Sequence, residues 1–216
     1  MFRQDDTLQT FLSVCPRLKE LILCDCVGLS LGIKSSSIRN LEITGTNGAY
    51  VHIIIEAPRL ESIFLSETVS CYNIKTVGSL SCLVHATFNS NCPSKVHRCR
   101  IICLLQQASN LKILKLTQSK SKQSLGYHGV QLPVFQNLEC LELAYVTAPF
   151  VLQMLEHTMN LTSLILHKLK GRCATDDSLM LPKNAPNCLF RSLKTVVIND
   201  FCWPGMKVMR DWQNIC

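Results

Sequence analysis

No run of about 18 uncharged apolar residues occurs in this 216-residue chain, so the sequence offers no membrane-spanning helix and no membrane partner is expected. The opening stretch MFRQDDTLQTFLSVC carries acids where a signal peptide keeps an uninterrupted apolar segment, and the chain reads as not secreted. A CxxC pair is also missing. The nearest approaches, Cys24/Cys26 and Cys99/Cys103, lack a second Cys or His pair at zinc-ligand spacing, so no metal is expected. Thirteen cysteines, an odd number scattered without a secretion signal, read as thiols in a reducing compartment, and the expected localisation is cytoplasmic or nuclear. HExxH and P-loop glycine patterns are likewise lacking, and Asp176-Asp177 reads as a solvated loop pair. Neither a catalytic site nor a cofactor is expected. A thiol nucleophile remains open as a third reading, which would require a Cys and a His within about 4 Å of each other in a cleft.

A net charge of +7 raises nucleic acid as a partner, and the placement of the charge answers it. The densest basic segments are His97-Arg98-Cys99-Arg100, Lys112/Lys115/Lys120/Lys122 and Lys168/Lys170/Arg172. They lie largely in polar connections and carry no interleaved aromatic residues on which bases would stack. No nucleic-acid partner is expected.

What the sequence does contain is an apolar triplet in the register LxxLxL, repeated eight times. The triplets are Leu18/Leu21/Leu23, Ile38/Leu41/Ile43, Leu60/Ile63/Leu65, Leu83/Ala86/Phe88, Leu111/Leu114/Leu116, Leu138/Leu141/Leu143, Leu161/Leu164/Leu166 and Leu193/Val196/Ile198. Their first members are 20, 22, 23, 28, 27, 23 and 32 residues apart, mostly within the roughly 20–29-residue spacing of leucine-rich repeats. The fold class that follows is α/β: a leucine-rich-repeat solenoid, an irregular curved array of about eight repeats with a parallel β-sheet on its concave face. Each unit has an apolar edge that only a stacked neighbour can bury.

Within each triplet the second and third members, two residues apart, point to one face of a strand. Helical spacing is predicted over Thr7–Cys15, with Leu8, Phe11, Leu12 and Cys15 on one face, and over Val96–Ala108 and Ala148–Thr158. The first of these would shield the first repeat. Val51–Ile55 reads as an extra strand on the outer side, where the early repeats otherwise have room only for loops, short strands or tight turns. Lys120–Gln131 and Cys173–Asn187 read as surface insertions. Val208, Met209 and Trp212 are candidates to cover the carboxyl end. The sequon Asn160-Leu161-Thr162 is read as incidental, because Leu161 packs inward.

The strings FLSVCPRLKELILCDCVGL, IRNLEITG, IEAPRLESIFLS, LPVFQNLECLEL and NAPNCLFRSLKTVVINDF resemble the plant F-box/FBD/LRR-repeat family over nearly the whole chain. In that family an F-box precedes an irregular leucine-rich array, and an FBD region follows it, opening as Pro186 to Val196 do here. The expected division is a leucine-rich array over 1–186 and a truncated FBD-like region over 187–216, continuous with the array. The chain starts inside the array and stops soon after the FBD opening, so docking of a Skp adaptor, which the F-box performs, is not expected. The resemblance implies a surface that recognises a protein substrate for ubiquitination. The alternative kept beside it is a stand-alone interaction or decoy protein with no role in ubiquitination.

If the triplets face inward, the residues flanking them line the concave sheet surface. The partner-binding candidates on it are Glu20, Ile22, Glu42, Phe64, His85, Ile113, Lys115, Glu142, Ile165, His167 and Val197. Three Glu against one Lys give no phosphate-binding stripe. Ile22, Phe64, Ile113, Ile165 and Val197 set apolar side chains among polar ones, the pattern of a protein interface, with Phe64 as its anchor. Each can equally be an ordinary strand position partly covered by loops. His85 and His167 share the face but lie too many strands apart to share a metal or a proton.

Overall fold

The computed structural model describes residues 6–25, 30–45, 52–66, 73–89, 101–117, 132–168, 186, 188 and 191–200. In chain order it builds helix α1 (Asp6–Val14) and strands β1 (Glu20–Cys24), β2 (Ser30–Lys34), β3 (Asn40–Thr44), β4 (His52–Glu56), β5 (Ser62–Leu65), β6 (Asn73–Thr76), β7 (His85–Asn89), β8 (Ile113–Thr117) and β9 (Cys140–Ala144). Helix α2 (Ala148–Glu156) and strands β10 (Ser163–His167) and β11 (Thr195–Asn199) follow. The predicted surface insertions fall almost wholly outside these residues, as do the residues expected to cover the carboxyl end.

Eight strands form one parallel sheet in the order β1-β3-β5-β7-β8-β9-β10-β11, each paired in register with the next. The register aligns the triplets into rows. Leu21, Leu41, Ile63, Ala86, Leu114, Leu141 and Leu164 stack as one buried row, and Ile43, Leu65, Phe88, Leu116, Leu143 and Leu166 as another. Ala86 and Phe88, the smallest and largest members, belong to the same repeat, so that repeat keeps its share of core volume. Burying a Leu or Ile of this kind contributes about 1.5–3 kcal/mol, and the row-wise repetition is what holds the array together.

Val196 and Ile198 depart from this pattern. They were expected to face the core, but on β11 they are 51% and 52% exposed. Strand β11 is the last of the described sheet, so its inward side has a neighbour on one flank only.

Behind the first repeats a second, three-stranded parallel sheet runs β2-β4-β6. The strand predicted at Val51–Ile55 is its centre, β4, with Ile53 and Ile55 fully buried. Later repeats put helix on that outer side instead, at residues 101–105 and at α2. Interval length does not decide this, because the 23-residue interval from Leu60 holds β6 whereas the 23-residue interval from Leu138 holds α2. Side-chain type does. HIIIE stacks three β-branched residues that favour a pleated surface, and APFVLQMLE supplies straight-chain residues with Pro149 in the first turn.

Helix α1 packs on β2, an edge strand of the outer sheet. Of the four residues predicted for its apolar face, Leu12 is buried, Leu8 packs against the core and Cys15 is half-buried, but Phe11 is exposed. The helix meets a single strand, too narrow a contact to take the whole stripe.

Repeat junctions are stitched in the same way each time. Two successive amides at a strand entry donate to one carbonyl of the preceding repeat, as Lys112 and Ile113 do to Val84 and Glu139 and Cys140 do to Lys112. Side chains reinforce the later junctions. Asn110, Asn137 and Asn160, each directly before a triplet leucine, donate Nδ2 to the carbonyls of Ser81 (2.7 Å), Ser109 (3.0 Å) and Gln136 (2.7 Å), and Ser192 Oγ does the same to Met159 (3.1 Å). In the sequon, Asn160 is therefore a structural donor, and Thr162 Oγ1 also donates inside the array, to Glu139 at 2.9 Å. Strand exits share a left-handed residue: Asp25, Gly45, Tyr145, Lys168 and Asp200 have φ between 48° and 58°.

Candidate functional site

All eleven candidate residues lie on the same face of the eight-stranded sheet, expected to be concave, because each alternates with the triplet members along its strand, which are buried or half-buried on every strand but β11. The central row reads Ile22, Glu42, Phe64, Thr87, Lys115, Glu142, Ile165, Val197 from β1 to β11. Glu20, His85 and Ile113 stand in the row on one side of it, and His167 in the row on the other.

Two features of this face differ from the expectation. Of the five apolar candidates only Ile22 (52%) and Val197 (38%) are well exposed, whereas Phe64, Ile113 and Ile165 are half-buried. Ile22 and Val197 sit on the outermost strands with an in-register neighbour on one side, while the other three are shouldered on both sides. The apolar residues also do not form one continuous patch. Ile22 and Phe64 lie toward the amino end, Ile165 and Val197 toward the carboxyl end, and Thr87, Lys115 and Glu142 separate them in the row.

The charges are organised, and spacing alone did not show this. Lys115 Nζ lies 2.8 Å from Glu142 Oε2, and His167 Nε2 lies 3.2 Å from the other oxygen of the same carboxylate. The Asn199 amide nitrogen is 3.2 Å from His167 Nδ1. A chain of four polar side chains thus crosses β8, β9, β10 and β11, with the carboxylate held from both sides. Glu20 and Glu42 have no ion pair among the described residues, so the amino-terminal half of the face keeps two uncompensated carboxylates beside Ile22 and Phe64. His85 stays apart from His167, with β8 and β9 between their strands, roughly 14 Å by strand spacing. Among the described residues no group of three His, Cys, Asp or Glu is placed to hold a metal ion.

Several basic residues outside this face are also engaged. Arg39 pairs with Glu61, Lys112 with Glu139 at 2.9 Å, and Lys34 with Glu56 at 3.1 Å, each joining neighbouring repeats. Lys168 lies 5.6 Å from the centre of the Tyr145 ring and 3.7 Å from Asp200 Oδ2. Tyr145, by hydrogen bond and charge, and then the Asp200 carboxylate hold the Lys168 ammonium above its ordinary range. None of the six cysteines among the described residues is in a disulfide, and no helix among these residues is long and apolar enough to cross a membrane.

Residues 1–87, which contain the first three triplets and the first two members of the fourth, match the family model described as FBD-associated F-box protein At5g56370, LRR repeats. The match covers the amino-terminal repeats, less than half of the chain. No curated protein and no solved structure matches the chain. The fold is a leucine-rich-repeat solenoid of parallel strands, an architecture that typically serves as a non-enzymatic interaction scaffold. The junction asparagines and the Lys115–Glu142–His167–Asn199 chain went unrecognised in the sequence. The recurring Asn-Leu dipeptide at 110, 137 and 160 was a signal for the former.

Proposed function

We propose that the protein is a protein-interaction module that receives a protein substrate on the solvent face of its large sheet, as the substrate-recognition part of an F-box-type ubiquitin-ligase receptor. The observation that carries this reading is the face itself: in-register strands present apolar groups at both ends and fixed charges between them, on a backbone tied at every junction. The match of residues 1–87 to FBD-associated F-box repeats supports the ubiquitin-ligase part. A reducing compartment, cytoplasm or nucleus, suits a chain with thirteen cysteines.

Affinity capture with the full chain and with Phe64→Glu and Ile165→Glu variants tests the surface. Partners that depend on the face are lost from at least one variant whose far-UV circular dichroism is unchanged, and partners retained by both overturn the assignment. The ubiquitin-ligase part is tested on any partner so identified. Its ubiquitination should fall when this protein is depleted, and an unchanged level would leave a stand-alone binding protein.

A further inference from the structure

Glu42 stands on β3 between Ile22 of β1 and Phe64 of β5, its in-register neighbours in the central row of the sheet face. Glu42 and Phe64 are half-buried, and Ile22 is exposed. A carboxylate shouldered by two apolar side chains loses part of its hydration, and among the described residues this one gains no ion pair in return. Glu142, the other carboxylate of the row, is treated differently. Lys115 takes, one strand before Glu142, the place that Ile22 takes one strand before Glu42, and His167 closes on Glu142 from the other side.

Glu20 lies one strand and two residues from Glu42, about 8 Å between backbones, which is about one Debye length at physiological salt, so the two negative potentials add. The repeats here supply little to oppose them. The connections after β1, β3 and β5, residues 26–29, 46–51 and 67–72, contain no Lys, Arg or His. Arg39, at the entry of β3, is engaged by Glu61, and Lys19, at the entry of β1, pairs with neither carboxylate.

We propose that this amino-terminal half of the face receives a helix of the protein partner that carries a Lys or Arg between two apolar residues, one turn to either side. The proposal rests on the reading of the face as a protein-receiving surface. Spacing favours the helix. Neighbouring strands are about 4.8 Å apart, so Ile22, Glu42 and Phe64 together cover about 10 Å. Residues at i, i+3 or i+4 and i+7 of a helix share one side and cover about 10.5 Å, whereas three alternate residues of an extended segment need about 13 Å. The apolar pair is buried against Ile22 and Phe64, and the cation balances the charge of Glu42, with Glu20 adding to the attraction.

The probe is a fluorescent Ala-rich peptide of about 16 residues, long enough to be helical alone, with Leu at i and i+7 and Arg at i+3; its binding to the full chain is read by anisotropy. It should bind more tightly than copies with Glu at i+3 or with a helix-breaking Pro after it, and its affinity should fall as salt rises. Glu42→Gln should weaken it about tenfold, and Glu20→Gln, at the more exposed and better screened carboxylate, about threefold. Glu56→Gln, the same change of net charge on the outer sheet, should leave it unchanged. Equal binding of the Arg and Glu peptides, equal binding of the Pro copy, or affinity indifferent to Glu42→Gln overturns the proposal. The reading of the face fails separately, through captured partners retained by both Phe64→Glu and Ile165→Glu. Loss of those partners together with no binding of the Arg peptide overturns this proposal alone.

Discussion

The Gln9 carboxamide pairs with both backbone groups of Lys34: its Nε2 donates to the Lys34 carbonyl at 3.1 Å, and the Lys34 amide donates to its Oε1 at 3.1 Å. Lys34 ends β2, an edge strand of the outer sheet, so a side chain of α1 stands where the backbone of another strand would otherwise pair. An open parallel edge is a template for association.

Gln9→Ala removes two exposed hydrogen bonds, and a loss of about 1–2 kcal/mol in urea unfolding is expected. Gln9→Glu keeps the acceptor and loses the donor, so it should recover part of that loss. Equal stability of Gln9→Ala and the parent chain would falsify the edge-capping role.

The Asn-Leu junctions make a sharper distinction. Asn137 Nδ2 donates to the Ser109 carbonyl at 3.0 Å and lies 3.3 Å from Asn110 Oδ1. Asn137→Ala should cost about 1 kcal/mol. Asn137→Asp should cost more, because a carboxylate presents a second acceptor to two acceptors and has nothing to donate. If Asp proves as stable as Asn in thermal unfolding, the residue serves only as a turn former.

These junctions also mark where the sequence stopped being readable. The eight triplets announced eight strands because the period-2 alternation is written locally in residues such as Leu141 and Leu143. Strand β4 was legible for the same reason, through Ile53, Ile54 and Ile55. Its partners were not, because SLGIK and NIKT carry little apolar content and become strands only when β4 lies alongside. On the solvent face the residue types were legible and their pairings were not. Lys115 and Glu142 are 27 positions apart and meet only through the register of β8 on β9, a tertiary fact with no local trace.

Gly45 separates backbone strain from steric conflict. Its φ is +52°, and a Cβ built there would lie 2.2 Å from Asp25 Oδ1, the far end of an exposed side chain that can move away. Gly45→Ala should therefore lose about 1 kcal/mol through the left-handed backbone. The same substitution made in an Asp25→Ser background should lose as much again relative to that background. A loss that vanishes there would show that the contact with Asp25 dominates.

Lys168 should give the alkaline limb of stability a recognisable origin. Its pKa is raised from 10.5, chiefly by Tyr145 and then by Asp200, so the folded chain holds this proton more tightly than the unfolded chain does. The resulting contribution is present in full below 10.5 and fades as the pH climbs through the higher folded-state value. Lys168 is exposed, and solvent screening keeps the effect small. Lys168→Gln should lower stability slightly at neutral pH and make its decline above pH 10.5 shallower than in the parent chain, read from urea midpoints across that range. Asp200→Asn should do the same to a smaller degree, since it removes the weaker of the two partners. Parallel midpoint curves for the parent chain and Lys168→Gln would show that the Tyr145–Lys168–Asp200 stack carries no proton-linked stability.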